Sequence, residues 1–153
     1  MIFLCAFLVG LVSGLRTLLA PAAVSWAARL GTLSVASTPL AFMGFKYTPI
    51  ILTVLAVVEL ITDQLPSTPS RKVPMQFGAR IVSGALVGAT VGASNSALVV
   101  GLILGIVGAV VGTLGGAAAR SKMAAAFGKD TPAALIEDVV AILIVIFAVT
   151  RLS

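Results

Sequence analysis

Six ionisable residues lie within or at the ends of long apolar runs, and they are the residues that could do chemistry. They are Arg16, Glu59, Asp63, Arg80, Glu137 and Asp138. A charge near the centre of a bilayer costs at least about 2.5–3.5 kcal/mol on insertion scales, so such residues are usually paired or functional. We interpret all six as candidates for binding a substrate or an ion.

The spacing of these residues predicts how they pair. Glu59 and Asp63 are four residues apart and share a helix face. Arg80 begins the next apolar run, across a proline-rich loop, and is close enough to pair with them. Glu137 and Asp138 open the last apolar run beside the bases of the preceding loop.

A structural explanation competes with the functional one. Long side chains such as Arg16 and Arg80 reach the membrane interface, or form structural ion pairs, without any further role. Carboxylate side chains are shorter and reach less far. Glu59 and Glu137 are therefore favoured as a proton- or cation-handling site, and the two aspartates are expected to be interfacial.

The composition indicates an integral membrane protein. Hydrophobic residues make up 59% of the 153 residues, charged residues 10%, and the mean hydropathy is +1.19. Soluble domains carry about a quarter charged residues. We therefore expect a single all-α transmembrane domain over residues 1–153, in contact with lipid.

Several function classes are disfavoured. The net charge of +5 comes from bases scattered near predicted helix ends, where anionic lipid explains them better than nucleic acid does. With no His and one Cys, a thiolate or imidazole metal site has no ligands. Residues 112–116 lack the Lys-Ser/Thr of a phosphate loop. We expect no enzyme, cofactor or nucleic-acid partner.

About five transmembrane helices are predicted, over residues 2–20, 49–62, 79–93, 97–119 and 131–150. Pro21 ends or kinks the first, and residues 22–30 are interpreted as a short interfacial or re-entrant helix closed by Gly31. Thr48 and Thr131 each precede a proline and mark helix starts. Bases near residues 64–80 and 120–130 place both loops on the cytoplasmic face. The N-terminus then shares that face, and dual topology stays open.

Glycines four residues apart indicate close helix packing. They are Gly84, Gly88 and Gly92 in the third span, and Gly101, Gly105, Gly108 and Gly112 in the fourth. Such glycines line one face of a helix and let two backbones approach closely in lipid. The three-residue turn at 94–96 predicts an antiparallel Gly-rich hairpin of these spans. Packing is the favoured explanation; a glycine-lined path or hinge is the alternative.

Two stretches resemble each other and suggest an inverted repeat. Residues 10–31 and 108–128 each carry two glycines four apart, an Ala-rich segment with bases, and a closing glycine. Each is followed by a Thr-Pro helix start. Spans four and five would then repeat spans one and two in the opposite direction, as in many transporters. Sequences rich in Ala and Gly also align by chance.

The chain resembles a family of small bacterial membrane proteins catalogued as a domain of unknown function. The resemblance is carried by residues 14–17 with Pro21, 59–71, 78–80 and 116–122, and it covers most of the chain. The acid and proline-rich loop at 59–71 is its most specific part. The resemblance implies a small polytopic inner-membrane protein and no catalytic residues.

A small transporter or channel is the favoured function. Acids within the apolar runs favour proton or cation coupling, whereas Arg16 and Arg80 leave an anionic substrate open. A chain this short encloses little cavity, so a homo-oligomer, a dimer or higher, is expected to complete the path. The alternative is a non-transport membrane protein that binds lipid, forms a scaffold or serves as an accessory subunit.

Overall fold

Six α-helices and one short 3-10 helix make up the described part of the chain, which contains no strand. The computed structural model describes residues 1–62, 74–128 and 130–152. The elements are α1 (Ile2–Leu15), α2 (Leu19–Arg29), the 3-10 helix (Ala41–Gly44), α3 (Thr48–Thr62), α4 (Pro74–Ala93), α5 (Leu98–Phe127) and α6 (Asp130–Thr150). The expectation of an all-helical fold is confirmed.

Helices α4 and α5 form an antiparallel hairpin around the turn at residues 94–97. A Cβ atom on Gly88 would lie 2.7 Å from the Cα of Gly105, and one on Gly101 would lie 2.7 Å from the Cα of Gly92. Real Cβ atoms essentially never approach within 3.0 Å, so these positions admit only glycine at this backbone separation. The absence of side chains is what brings the two backbones together.

Helix α1 packs against the other glycines of α5, a contact that the sequence did not predict. A Cβ on Gly10 would lie 2.7 Å from the Cα of Gly105, and one on Gly14 would lie 2.6 Å from the amide nitrogen of Thr113. On α5, Gly108 faces Phe7 and Leu11 of α1. Because residue numbers rise together along both helices, α1 and α5 run parallel.

This parallel packing corrects two predictions. Met1 lies at the end of the bundle that carries the turn at residues 94–97, called here the turn end. The opposite end, where α5 carries Arg120 and Lys122, is called the basic end. The N-terminus therefore lies at the end of the bundle opposite Arg120 and Lys122, whereas the prediction placed it on their side. An inverted repeat of spans one and four requires opposite helix directions, and α1 and α5 have the same direction.

The chain reverses direction between α1 and α2. Arg16 is extended, with φ −139° and ψ 118°, and α2 starts at Leu19. The segment after α2, residues 34–39, lies beside Ala93 and the turn, so α2 returns to the turn end. The predicted helix through residue 20 is thus interrupted before Pro21. As the third residue of α2, Pro21 needs no N–H donor for the helix.

Three further segments differ from, or refine, the prediction. Residues 120–127, expected in a loop, continue α5 because alanines at 117–119 and 124–126 favour helix. Helix α5 ends at Gly128, which has φ +72°, the left-handed conformation common after helix C-termini. Gly31, expected to close the short helix, has φ +87°. Thr38 also precedes a proline, as Thr48 does, but it begins a turn and not a helix.

One described helix, α5, is long and apolar enough to span a membrane. Helices α1 and α3 are also apolar but shorter. The expected five spans are therefore not established by helix length and composition alone.

Candidate functional site

The site is the reversal between α1 and α2, residues 16–18, which is called the tip. At this point the backbone leaves α1 in an extended conformation and then starts α2. Backbone groups at helix ends lack partners within the helix and must find them elsewhere. Helices α3, α4, α5 and α6 each contribute a side chain that meets the tip or the end of α1.

Glu59 of α3 binds two consecutive amides of the tip. Its Oε1 accepts a hydrogen bond from the Thr17 N–H at 2.7 Å, and its Oε2 accepts one from the Leu18 N–H at 2.8 Å. These amides stand at the N-terminal end of α2, where a negative charge is favoured by the helix dipole. Bonds from N–H groups to a carboxylate are among the stronger hydrogen bonds in proteins.

Arg16 and Asp138 form an ion pair within the bundle. The Arg16 side chain is 0% exposed and the Asp138 side chain 14% exposed. Both Nε and Nη2 of the guanidinium face Oδ1 of the carboxylate. The carboxylate offsets much of the cost of burying the guanidinium. Asp138, expected to be interfacial, pairs with Arg16 across the bundle, and its depth relative to a membrane stays a prediction.

Two helices hold the carbonyl groups at the end of α1 and in the tip. Arg80 of α4 donates from Nη1 to the Gly14 carbonyl at 2.8 Å, and Thr113 of α5 donates to the same oxygen at 3.4 Å. Ser83 of α4 donates to the Thr17 carbonyl at 2.5 Å. Arg80 was expected to pair with Glu59 and Asp63, of which Asp63 lies outside the described residues. Its contact with a backbone carbonyl was not predicted.

Ser83 and Thr113 were missed by the sequence analysis. Both are buried, and each stands next to a glycine of the packed helix faces, Ser83 before Gly84 and Thr113 after Gly112. A hydroxyl beside a close-packing glycine lies near another backbone, where it can donate to a carbonyl. That adjacency was the signal available in the sequence.

A second ion pair joins α5 and α6 beside the first. The Nη1 atom of Arg120 lies 3.5 Å from Oε2 of Glu137, whose side chain is 4% exposed. The expected proximity of the acids of the last span to Arg120 is confirmed. The adjacent residues Glu137 and Asp138 therefore contact two different arginines, Arg120 and Arg16.

Four of the six candidate residues meet at the tip, namely Arg16, Glu59, Arg80 and Asp138. Glu137 lies in the neighbouring ion pair, and Asp63 lies outside the described residues. Within the described residues, no group of three or more His, Cys, Asp or Glu side chains could hold a metal ion.

A cavity of about 510 Å³ lies at the turn end, away from the tip. Its walls are the segment after α2 and the turn between α4 and α5, and five hydroxyl side chains line it: Ser34, Ser37, Thr38, Ser94 and Ser96. Ser83, which contacts the tip, and Ala93, which lines the cavity, are ten residues apart on α4, about 15 Å along a helix axis.

Comparison with known proteins gives one match. The sequence model of a family described as "Domain of unknown function (DUF4126)" matches residues 3–151. No curated protein and no solved structure matches the chain.

Proposed function

The chain belongs to this family of unknown function, and from its own geometry we propose that it is a small multi-pass membrane transporter or channel. Its cargo is a small solute or ion, and the carboxylates at the tip couple its movement to protons. The proposal depends on one observation above the others. A helix is interrupted inside an apolar bundle, and a carboxylate occupies the backbone amides that the interruption exposes.

The outer faces of the bundle support a membrane location. Large aliphatic side chains are exposed along three helices: Ile51, Val54 and Val58 of α3, Val99, Ile103 and Val107 of α5, and Val139, Leu143 and Ile146 of α6. Exposed apolar surface of this extent is typical of surfaces that contact lipid or another protein. Lipid and a second copy of the chain are the partners that we propose.

The helix directions suggest how the chain crosses the membrane. In this proposal α3, α4, α5 and α6 cross in alternating directions, and α1 and α2 form a re-entrant hairpin that enters from the turn end. Non-helical backbone at membrane depth is tolerated where other protein groups pair with it, as Glu59 and Ser83 do with the backbone of the tip. Arg120 and Lys122 then place the basic end in the cytoplasm of a bacterial inner membrane.

The interrupted helix supports transport more directly than the apolar surface does. Transporters often bind their substrates at broken helices, where helix termini and unpaired backbone groups face the ligand. Ionisable groups within a membrane are costly and often mark ion or proton pathways. Arg16, Asp138 and Glu59 combine both features at the tip. A bundle of this size encloses little space, so a homo-oligomer completes the path in this proposal.

A non-transport membrane scaffold is the second candidate, and a specific observation favours it. The charges described at the tip and beside it have protein partners: Asp138 for Arg16, two amides for Glu59, a carbonyl for Arg80, and Glu137 for Arg120. Such pairing also suits a rigid core. In that case the protein would bind lipid tightly and move no solute.

Flux in sealed proteoliposomes separates the two candidates. A pH-sensitive dye inside the vesicles would report proton movement driven by gradients of sodium, potassium, chloride or phosphate. We expect movement with one of these ions, and a loss of at least about tenfold in Glu59→Gln. The matched control is Lys122→Gln, which removes an exposed charge and should keep the wild-type rate. No flux with any gradient for folded protein, together with co-purifying lipid, would favour the scaffold.

A further inference from the structure

We propose that Glu59 is a proton-operated latch, which holds the start of α2 against α3 when ionised and releases it when protonated. The proposal deepens the proposed function by naming how the tip is regulated. It depends on that function only for its consequence, the opening of a path. The change in the latch itself can be measured in protein that transports nothing.

The latch follows from the number of acceptors that the carboxyl group offers. Ionised Glu59 presents two charged oxygens, and each accepts one amide proton, from Thr17 and Leu18. A proton added to either oxygen turns that oxygen into a hydroxyl donor and removes the negative charge. The hydroxyl oxygen is a weaker acceptor than a carboxylate oxygen, although it keeps a lone pair. Both amide bonds therefore lose the assistance of the charge, and the bond to the protonated oxygen is weakened most.

The rest of α2 defines where movement would pivot. Farther along α2, Trp26 donates from Nε1 to the hydroxyl of Thr53 on α3 at 2.8 Å, and Ser25 donates to the Met43 carbonyl. Neither contact involves an ionisable group. Release of Glu59 therefore frees the first turn of α2 while its last turns stay held, so the tip end of α2 swings away from α3.

Helix α1 stays fixed during this movement. Its glycines Gly10 and Gly14 lie against the backbone of α5, and Arg80 holds the Gly14 carbonyl. Two contacts hold the tip against the rest of the bundle. Ser83 donates to the Thr17 carbonyl, and Arg16 pairs with Asp138. The latch thus acts on the Thr17 and Leu18 amides alone. The change in helix direction is taken up by the backbone dihedral angles of Arg16, the extended residue between α1 and α2.

The charged groups around Glu59 determine what else could titrate with it. Among the described elements, α2 and the 3-10 helix pack against α3. Among the described residues, α2 carries one charge, Arg29 in its last turn, and the 3-10 helix carries none. At the tip itself the charges are Arg16 with its partner Asp138, and Arg80. Asp138 of α6 is the only other described carboxylate at the tip, and it pairs with Arg16.

Amide resonances measure the latch directly. In ¹⁵N-labelled protein in detergent micelles, the Thr17 and Leu18 amides would be followed from pH 8 down to the lowest pH at which the protein stays folded. We expect both resonances to shift together with one midpoint as Glu59 is protonated. Their protection from solvent exchange, corrected for the intrinsic effect of pH, should fall at least about tenfold when a charge-assisted bond is lost. Trp26 Nε1–H should keep its resonance.

Two variants make the test specific. Glu59→Gln keeps the size of the side chain but cannot be ionised, so its two amides should show the low-pH protection at every pH. Glu137→Gln neutralises the neighbouring acid that binds Arg120 and not the tip, so both amides should still titrate. If Glu59→Gln does not fold, wild-type amides that show no shift still overturn the latch.

The outcomes separate the latch from transport. Tip amides that keep their resonances and protection across the pH range would overturn the latch, even in protein that shows flux. The same holds if the amides titrate unchanged in Glu59→Gln. Amides that titrate in wild type and not in Glu59→Gln support the latch, and they do so even if proteoliposomes show no flux and the proposed function fails.

Discussion

The guanidinium of Arg16 and the carboxylate of Asp138 form an ion pair between residues 122 positions apart in the chain. The pair connects the reversal between α1 and α2 to the last helix of the bundle. Arg16 is fully buried, so its charge depends on this partner. The first prediction follows from that dependence.

We expect Asp138→Asn to lower the free energy of unfolding by about 3–5 kcal/mol, because it leaves the buried charge of Arg16 without its carboxylate. The double variant Arg16→Met with Asp138→Leu should recover most of this loss, since it removes both charges. Equilibrium unfolding in detergent measures all variants. If the double variant lost as much as the sum of Arg16→Met and Asp138→Leu measured singly, the two residues would not act as a pair.

Glycine contacts between helices give a second prediction. Gly88→Ala would push a methyl group into the backbone of α5 and should cost about 1–3 kcal/mol or more. Gly115→Ala is the matched control, because nothing lies within 4 Å of its added Cβ and alanine favours helix. Thermal unfolding should show a lower Tm for Gly88→Ala only. Equal effects at both sites would contradict the close approach of α4 and α5.

Ser83, which donates to a carbonyl of the tip, gives a third prediction. Ser83→Ala removes the hydrogen bond to the Thr17 carbonyl and should cost about 1 kcal/mol. Ser121→Ala removes an exposed hydroxyl on α5 and should be neutral. Unfolding in detergent compares the two variants. A neutral Ser83→Ala would mean that Arg80 and Thr113 suffice to hold the end of α1.

Bundle topology gives a fourth prediction, because α1 and α5 run parallel. The N-terminus and residue 96 should lie on one face of the membrane and residue 121 on the other. In a Cys5→Ala background, Ser96→Cys and Ser121→Cys would be labelled with an impermeant thiol reagent in vesicles of known orientation. An N-terminal tag should be accessible from the same side as Ser96→Cys. Accessibility from the side of Ser121→Cys would instead support the five-span topology.

Several features could be predicted from particular residues. Thr48 with its following proline marks the start of α3, and Gly31, in the left-handed conformation, follows the end of α2. Such signals are local, because a cap or a left-handed conformation depends on one or two residues. The glycines at 84, 88 and 92 likewise indicate a close contact of α4, since their spacing defines one helix face. The ionisable residues within the apolar runs also identified most of the candidate site.

The sequence by itself determined the helical class, the α4–α5 hairpin and the identity of the charged residues. Only the tertiary structure decided that Arg16 rather than Pro21 interrupts the first helix, and that Asp138 pairs with Arg16. It also decided that Glu59 binds the amides of Thr17 and Leu18. The physical reason is that a helix start or a glycine face is encoded within a few residues. A buried charge, in contrast, takes its partner from whichever helix the packing of the whole bundle brings near it.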